Sequence, residues 1–326
     1  MTKDNNLTTK VFKIILRGRE SMPFDEFIKF ALYHPKFGYY TSDKIRVGKS
    51  VSADFYTSST LGTLWGELLI DSCKKILNTN DLSNYTFVEI AAEPNCSVLH
   101  KIDNPFKKSK VIRLDQKIDI PERSIVFSNE LFDAQPFKRY RFRREIMKWE
   151  EIGVSIKGTQ FEESSLSLSE HPKYFPEDSI DEYTIDWPTG AHSLMQNILS
   201  KSWKGMFLTF DYGLPRQVIL NERPMGTARA YSKHKSSESL LTNIGEQDLT
   251  CHLCWEELSE CLNKNNFSNI TLQSQESFLI HHAHNKIKEI FDATRNPLDN
   301  EMLKLRELIH PQHMGEKFQA LWGLRL

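Results

Sequence analysis

No stretch of this sequence approaches the roughly 18 consecutive apolar residues that a membrane-spanning helix requires, so no membrane insertion is expected. The first ten residues, Met1 to Lys10, are polar and lack the apolar core of a secretory signal. Asp4 and Glu20 bracket a start with few arginines, which argues against a mitochondrial presequence. Cysteine is scarce and odd in number: Cys73, Cys96, Cys251, Cys254 and Cys261 are the five. That suits a reducing compartment rather than a disulfide framework, and a cytoplasmic location is the expectation. An excess of either charge is missing too. A formal net charge of −1 supplies no global field for nucleic acid or an anionic membrane, and neither is expected as a partner. The local basic run Lys138, Arg139, Arg141, Arg143 and Arg144 alternates as the exposed side of a strand would, not as a phosphate-binding stripe.

Metal-ligand patterns are incomplete. Cys251 and Cys254 stand at ligand spacing, with Cys261 a helical distance on. A structural zinc site takes four ligands, usually as two pairs, and no second pair exists. Cysteine on an amphipathic helix reads first as a small core residue. His281, His282 and His284 have no partnering acid motif and read as surface histidines. No metal is expected.

What is present is the ordinary balance of a globular chain, 39% hydrophobic and 26% charged, in a length sufficient for one large domain or two small ones. Residues 1–80 form an expected N-terminal helical region. Val11, Ile14, Ile15, Phe24, Phe27, Ile28, Ala31 and Leu32 repeat at helical spacing, broken at Met22-Pro23, where proline can open a new helix. Leu61 to Leu77 reads as another amphipathic helix. The pattern then changes over residues 81–326, read as one Rossmann-like domain. Thr86–Ile90, Lys110–Leu114, Ser124–Ser128 and Gly205–Phe210 are short continuous apolar runs, as in parallel strands buried on both faces. Glu89, Asp115, Glu130 and Asp211 sit at or just past their ends, where open α/β sheets bind ligands. Residues 139–187 read as an insertion of antiparallel hairpin strands, with the Ser-rich Glu162 to Glu170 as a loop. A helix is predicted from Asp248 to Asn266, then a strand and turn over Phe267 to Ile280. A helical segment at about 281–310, strongest over Lys286 to Leu308, precedes a last strand, Phe318 to Leu326. The fold class is α/β, a doubly wound sheet with an N-terminal helical extension and inserted hairpin and helical segments.

Ordered motifs narrow the reading. They begin with Met22-Pro23-Phe24, Ala31-Leu32-Tyr33-His34-Pro35, Phe37-Gly38-Tyr39-Tyr40, Asp54-Phe55-Tyr56-Thr57-Ser58 and Trp65-Gly66-Glu67-Leu68-Leu69. Ser128-Asn129-Glu130-Leu131-Phe132-Asp133-Ala134 with Pro136, and Asp211-Tyr212-Gly213, form the centre. Gly226-Thr227, Arg229-Ala230-Tyr231, His234, Asp248-Leu249-Thr250, His252 and Met314-Gly315-Glu316 with Phe318 complete the series. With these motifs the chain resembles, almost end to end, the MidA-like family of S-adenosylmethionine-dependent methyltransferases. That family includes mitochondrial complex I assembly methyltransferases that modify protein arginine. The resemblance implies a class I methyltransferase sheet, S-adenosyl-L-methionine as cofactor, and a protein substrate or assembly partner. It places the cofactor among Glu89, Ala91, Asn95, Asp115, Ser128 and Asn129, with Asp115 on the ribose hydroxyls.

Departures accompany the resemblance. The loop after the first strand, Ile90-Ala91-Ala92-Glu93-Pro94-Asn95-Cys96-Ser97, has no glycine where the family is glycine-rich, and Pro94 removes a backbone donor. Only about thirty residues separate it from Ser128-Asn129-Glu130, so the expectation is that a helix, or a helix and a strand, has been trimmed. Ser59-Thr60 replace the family's proline and glutamate.

Methyl transfer from a sulfonium is an in-line displacement that needs positioning above all. An arginine acceptor is protonated at neutral pH, so its site should supply carboxylates to orient it and take its proton. Glu130 and Asp133, spaced i, i+3 past a strand end, and Asp211 at the neighbouring end are the catalytic candidates; Tyr212 and His252 are candidates for the substrate wall. Each has a plainer alternative. Glu130 and Asp133 can cap a following helix, Glu89 can simply finish its strand, and His252 can be a structural polar contact. A methyltransferase acting on a protein side chain such as arginine is therefore weighed against a catalytically degenerate scaffold that binds or assembles a partner. The glycine-free loop favours the second. A third reading puts another small molecule in the same crevice.

Overall fold

The computed structural model describes residues 5–16, 18–41, 62–92, 97–114, 116–166, 171–232, 235–237, 239–293, 296 and 298–326. The Asp54–Ser58 motif, Ser59-Thr60, His234, Asn95 and Asp115 lie outside these. The first elements are α1 (Asn5–Leu16), β1 (Ser21–Pro23), α2 (Phe24–Tyr33), α3 (Thr63–Ile76), β2 (Thr86–Ile90), β3 (Lys108–Ile112) and β4 (Arg123–Asn129). The insertion supplies β5 (Lys138–Arg143), β6 (Lys148–Lys157), β7 (Gln160–Ser165) and β8 (Thr184–Trp187). Next come α4 (Thr189–Leu199), β9 (Lys204–Asp211), β10 (Gly213–Leu214), α5 (Arg216–Asn221), β11 (Arg229–Ser232), β12 (Lys235–Ser237), β13 (Asp248–Thr250) and β14 (Leu253–Cys254). The chain ends with α6 (Trp255–Lys264), β15 (Ser268–Ser274), α7 (Gln275–His282), α8 (His284–Ala293), α9 (Asn300–Ile309), a π-helical turn (Pro311–Gly315) and β16 (Gln319–Arg325).

The main sheet has the order β15-β16-β9-β4-β2-β3. Strands β3, β2, β4 and β9 run parallel, and β16 and β15 close the sheet antiparallel. Successive side chains of β2, β4 and β9 alternate between two buried faces, which is why these central strands read as near-continuous apolar runs. Phe87, Ile125, Phe127, Leu208 and Phe210 share one core with residues of α3, α7 and α9. Val88, Val126 and Phe207 share the other with residues of α4 and α6. The doubly wound expectation is met. Among the described residues of the β3-to-β4 connection, 113–114 and 116–122, there is no helix, and β3 is the sheet edge. That is the trimming anticipated from the short spacing; Lys108 and Lys110 keep the edge polar. On α3, Gly66 is required by close approach, because a Cβ there would strike the Val98 carbonyl.

A second sheet, β1-β6-β5-β8 with β7 on β6, is the antiparallel insertion. Here the structure corrects the reading of the basic run. Arg139, 8% exposed, donates to Asp186 and Glu163, while Arg141 and Arg143 pair with Glu163 and Glu150. The alternating arginines face acids of β6, β7 and β8 across the sheet, a paired surface rather than a bare one. Glu162 to Ser165 is strand, not loop.

Boundaries moved where tertiary pairing outweighed periodicity. The helix expected from Asp248 begins only at Trp255, because Asp248–Thr250 pairs with Arg229–Tyr231 of β11. Residues 275–280 are helix rather than turn, capped by the Ser274 hydroxyl. The helical stretch expected over Lys286 to Leu308 consists of two helices, α8 and α9, the second capped by Asp299. The second strand ends at Ile112, so Arg113 and Leu114 project past it. Cys73, Cys251, Cys254 and Cys261 are buried core residues. His281 and His284 are exposed, whereas His282 packs between Phe278 and Trp322.

Candidate active site

The chain leaves β2 towards β3 and leaves β4 towards β9, in opposite directions, so a crevice opens beyond their carboxyl ends. A cavity of about 1550 Å³ lies there, larger than the several hundred Å³ of a single small-ligand site. Glu89 to Ala92, Arg113, Leu114 and the Asn129–Pro136 turn form one side. Tyr33 and Tyr40 from the N-terminal region face them, with Thr227, Tyr231, Asp248 and His252 beside.

Backbone at two strand ends is strained. Ala91 adopts φ +63°, the left-handed shape that glycine takes freely, and its N–H donates to the Ile112 carbonyl at 2.7 Å. Glu130 adopts φ +49° and donates its N–H to the Phe210 carbonyl at 2.9 Å. Each costs on the order of 1–2 kcal/mol, and such strain gathers at functional sites. The glycine-free loop thus keeps the left-handed turn with alanine in it.

Asp211 fixes the second turn. Its Oδ2 accepts from Leu131 N at 3.1 Å and Phe132 N at 2.8 Å, and its Oδ1 accepts from Tyr212 N at 2.8 Å. It is fully buried and forms no part of the cavity wall, which corrects its candidacy as a reacting group: it positions Glu130 and Asp133. No helix follows Glu130, so neither Glu130 nor Asp133 is a helix cap. Ser128 also departs from expectation; its hydroxyl donates to Thr209 Oγ1 at 2.8 Å inside the sheet, away from the cavity. Asn129, Glu130, Asp133, Tyr212 and His252 all line the cavity, as do Glu89 and Ala91. Glu89 is committed to its own loop, accepting from Ser97 Oγ at 2.7 Å and Val98 N at 3.0 Å.

Burial, then the charge of Asp211, pushes the Glu130 carboxyl up to about 8. Burial, then Asp211, Asp248 and Glu130, holds Asp133 far above the usual carboxylate range. Burial raises Asp211 to about 7, against its backbone donors. Glu89 rises to about 7 for the same first reason, against Ser97 and Val98. His252 moves the other way, down to about 4, through burial and the charges of Arg223 and Arg229, and so stays neutral at pH 7. Among the described residues, three buried polar atoms on the wall lack a hydrogen-bond partner: Asn129 Oδ1, Asp133 Oδ1 and His252 Nδ1. Buried polar atoms left unpaired are costly, and a polar ligand would satisfy them.

Asp248, Tyr33 and Tyr40 carry no site role in the sequence reading. Tyr40 OH donates to Asp248 Oδ2 at 3.0 Å and Tyr33 OH to the Ala134 carbonyl at 2.8 Å, which ties α2 to the cleft. All three residues stand within the matched motifs, but the helix assigned to Asp248 hid its place on the wall.

A ligand crevice at the switch point of a doubly wound sheet, with acids over the strand ends, marks the class of α/β proteins that bind nucleoside cofactors. The family described as "Putative S-adenosyl-L-methionine-dependent methyltransferase" matches residues 62–271, and the chain belongs to that family. Two solved structures from Burkholderia thailandensis are similar over 98% of this chain and 92% of their own. One, described as a "likely methyl transferase" and bound to S-adenosyl-homocysteine, superposes with a TM-score of 0.84 at 18% identity. The other, an uncharacterized protein of the same superfamily, gives 0.79 at 19%. At these identities the likeness is one of fold. No described helix is long and apolar enough to cross a membrane.

Proposed function

We propose that this chain transfers a methyl group from S-adenosyl-L-methionine to an arginine side chain of a protein, as the MidA-like resemblance implies. The residues present fit the cofactor. The turn after β2 keeps the left-handed shape at Ala91, the cavity has room for a nucleoside and an acceptor together, and Asn129 offers an unpaired buried acceptor. Ile90, Ala91 and Leu114 would flank the base and Asn129 the polar end; when bound, the cofactor supplies an electrophilic methyl carbon.

The observation that carries the acceptor assignment is the crowd of carboxyls on the floor. Glu130, Asp133 and Asp248 line the cavity with Asp211 beneath, and both Glu130 and Asp133 are held protonated by burial and by their neighbours' charge. A guanidinium entering this floor reverses that balance: it favours the ionised carboxylates, is oriented by them, and leaves a carboxylate in place to take its proton. Neutral His252 accepts a hydrogen bond without repelling a cation.

The alternative of a degenerate scaffold that assembles a partner is favoured by the glycine-free turn after β2, where Ala91 carries the strained φ of +63°. Calorimetric titration with S-adenosyl-L-methionine, paired with radiolabelled methyl transfer to arginine-containing proteins, separates the two. Saturable binding and transfer lost in Asp133→Asn supports the enzyme. Transfer only to another residue type refutes the arginine acceptor, and a cooperatively melting protein that takes up no cofactor favours the scaffold.

A further inference from the structure

Charge changes sign between the floor of the cleft and its mouth. Asp133 and Asp248, 6% and 3% exposed, lie deep, with the half-buried Glu130 on the same wall. Among the described residues, the basic side chains lining the cavity are Lys29, Arg113, Arg229 and Lys317, each from a different part of the fold. Lys29 stands on α2 one turn before Tyr33, and Lys317 lies just before β16; both are exposed. Arg229 is half-buried on β11, and its charge acts on His252 and on Tyr231, which also feels Asp133 and Asp248. Arg113 follows β3, whereas Lys29, Arg229 and Lys317 line the cavity from α2, β11 and the approach to β16, Arg229 also donating to the Ala228 carbonyl.

We infer that the acceptor is an acidic segment: an arginine flanked within two or three residues by aspartate or glutamate. The inference rests on the arginine reading above and specifies its partner. The floor selects one cation, whereas an extended segment places the neighbours of that arginine about 3.3 Å apart along the mouth, within reach of the rim. There lysines attract acidic flanks and repel basic ones, so the rim discriminates between arginines by their surroundings. A typical basic, arginine-rich tail is a poor fit to this mouth.

The test is fluorescence anisotropy of the full-length protein with labelled peptides of about nine residues carrying one central arginine, flanked by Asp/Glu, by Ser/Ala, or by Lys. At about 20 mM salt the acidic peptide should bind about tenfold more tightly than the lysine-flanked one, and the gap should shrink several-fold at about 300 mM. Lys29→Glu combined with Lys317→Glu should reverse the preference. Equal affinities, a preference for lysine flanks, or no binding of any peptide overturns the inference. An acidic peptide with glutamine in place of arginine distinguishes the two readings. If it binds as tightly as its parent with the same flank preference, the rim recognition stands and the arginine assignment falls.

Discussion

Glu130→Gln should make this protein more stable and less active, and the size of the gain should depend on pH. Glutamine keeps the shape of the side chain and can keep the Asn129 Nδ2 contact, made at 2.9 Å, while removing the charge. The Glu130 carboxyl titrates near its ordinary 4.5 in the unfolded chain and at about 8 in the folded one. The folded state therefore holds the proton more tightly, and wild-type stability falls as pH rises from about 4.5 to about 8. The limiting slope for one group is about 1.4 kcal/mol per pH unit, or about 5 kcal/mol over the interval. Glu130 is only half-buried and shares its titration with Asp211 and Asp133, which reduces the expected effect to about 2–3 kcal/mol. With an unfolding entropy of about 0.7 kcal/mol/K for a chain of this length, that corresponds to about 3–4 °C in Tm. His252 works in the opposite sense, losing stability as pH falls from 6.5 towards about 4, but it is common to both proteins and cancels in the difference. Scanning calorimetry of both proteins at pH 5.5 and 8 measures the effect. A variant no more stable than wild type at pH 8, or one with the same gain at both pH values, would refute the reasoning.

Four further substitutions, at three positions, separate local strain from buried charge. Ala91→Gly relieves the φ of +63° and should raise stability by about 0.5–1 kcal/mol by denaturant titration, with cofactor affinity unchanged or tighter, whereas Ala91→Val should lower both. Asp186 is fully buried and accepts from Arg139 Nε at 2.8 Å and from the Thr227 and Ala228 N–H groups at 2.8 Å each. Asp186→Ala leaves the Arg139 guanidinium with Glu163 alone and the buried Thr227 and Ala228 N–H groups unpaired, and should cost about 3–5 kcal/mol, while Glu182→Ala, at the exposed contact with Arg143, should cost under about 1 kcal/mol.

The sequence by itself determined the sheet and the elements of its crevice. Continuous apolar runs ending in Glu89, Glu130 and Asp211 are those of parallel strands buried on both faces, and open α/β sheets bind ligands at such ends. Glu130 and Asp133 follow from the strand ends as neighbours in the cleft, while Tyr212 and His252 join them through the motifs shared with the MidA-like family. What tertiary structure decided is how each acid is used. Asp211 and Glu130 look alike as strand-end acids, yet Asp211 lies beneath the turn, where three backbone N–H groups converge on it, and Glu130 lies above it on the wall. Asp248 reads as the start of an amphipathic helix until β11 claims its backbone and turns it to the floor. The basic run reads as a solvated strand face until β7 and β8 bring Glu163 and Asp186 against it. In each case local periodicity fixed the element, while contacts between residues distant in sequence fixed the side chain's surroundings, and the surroundings set its charge and its role.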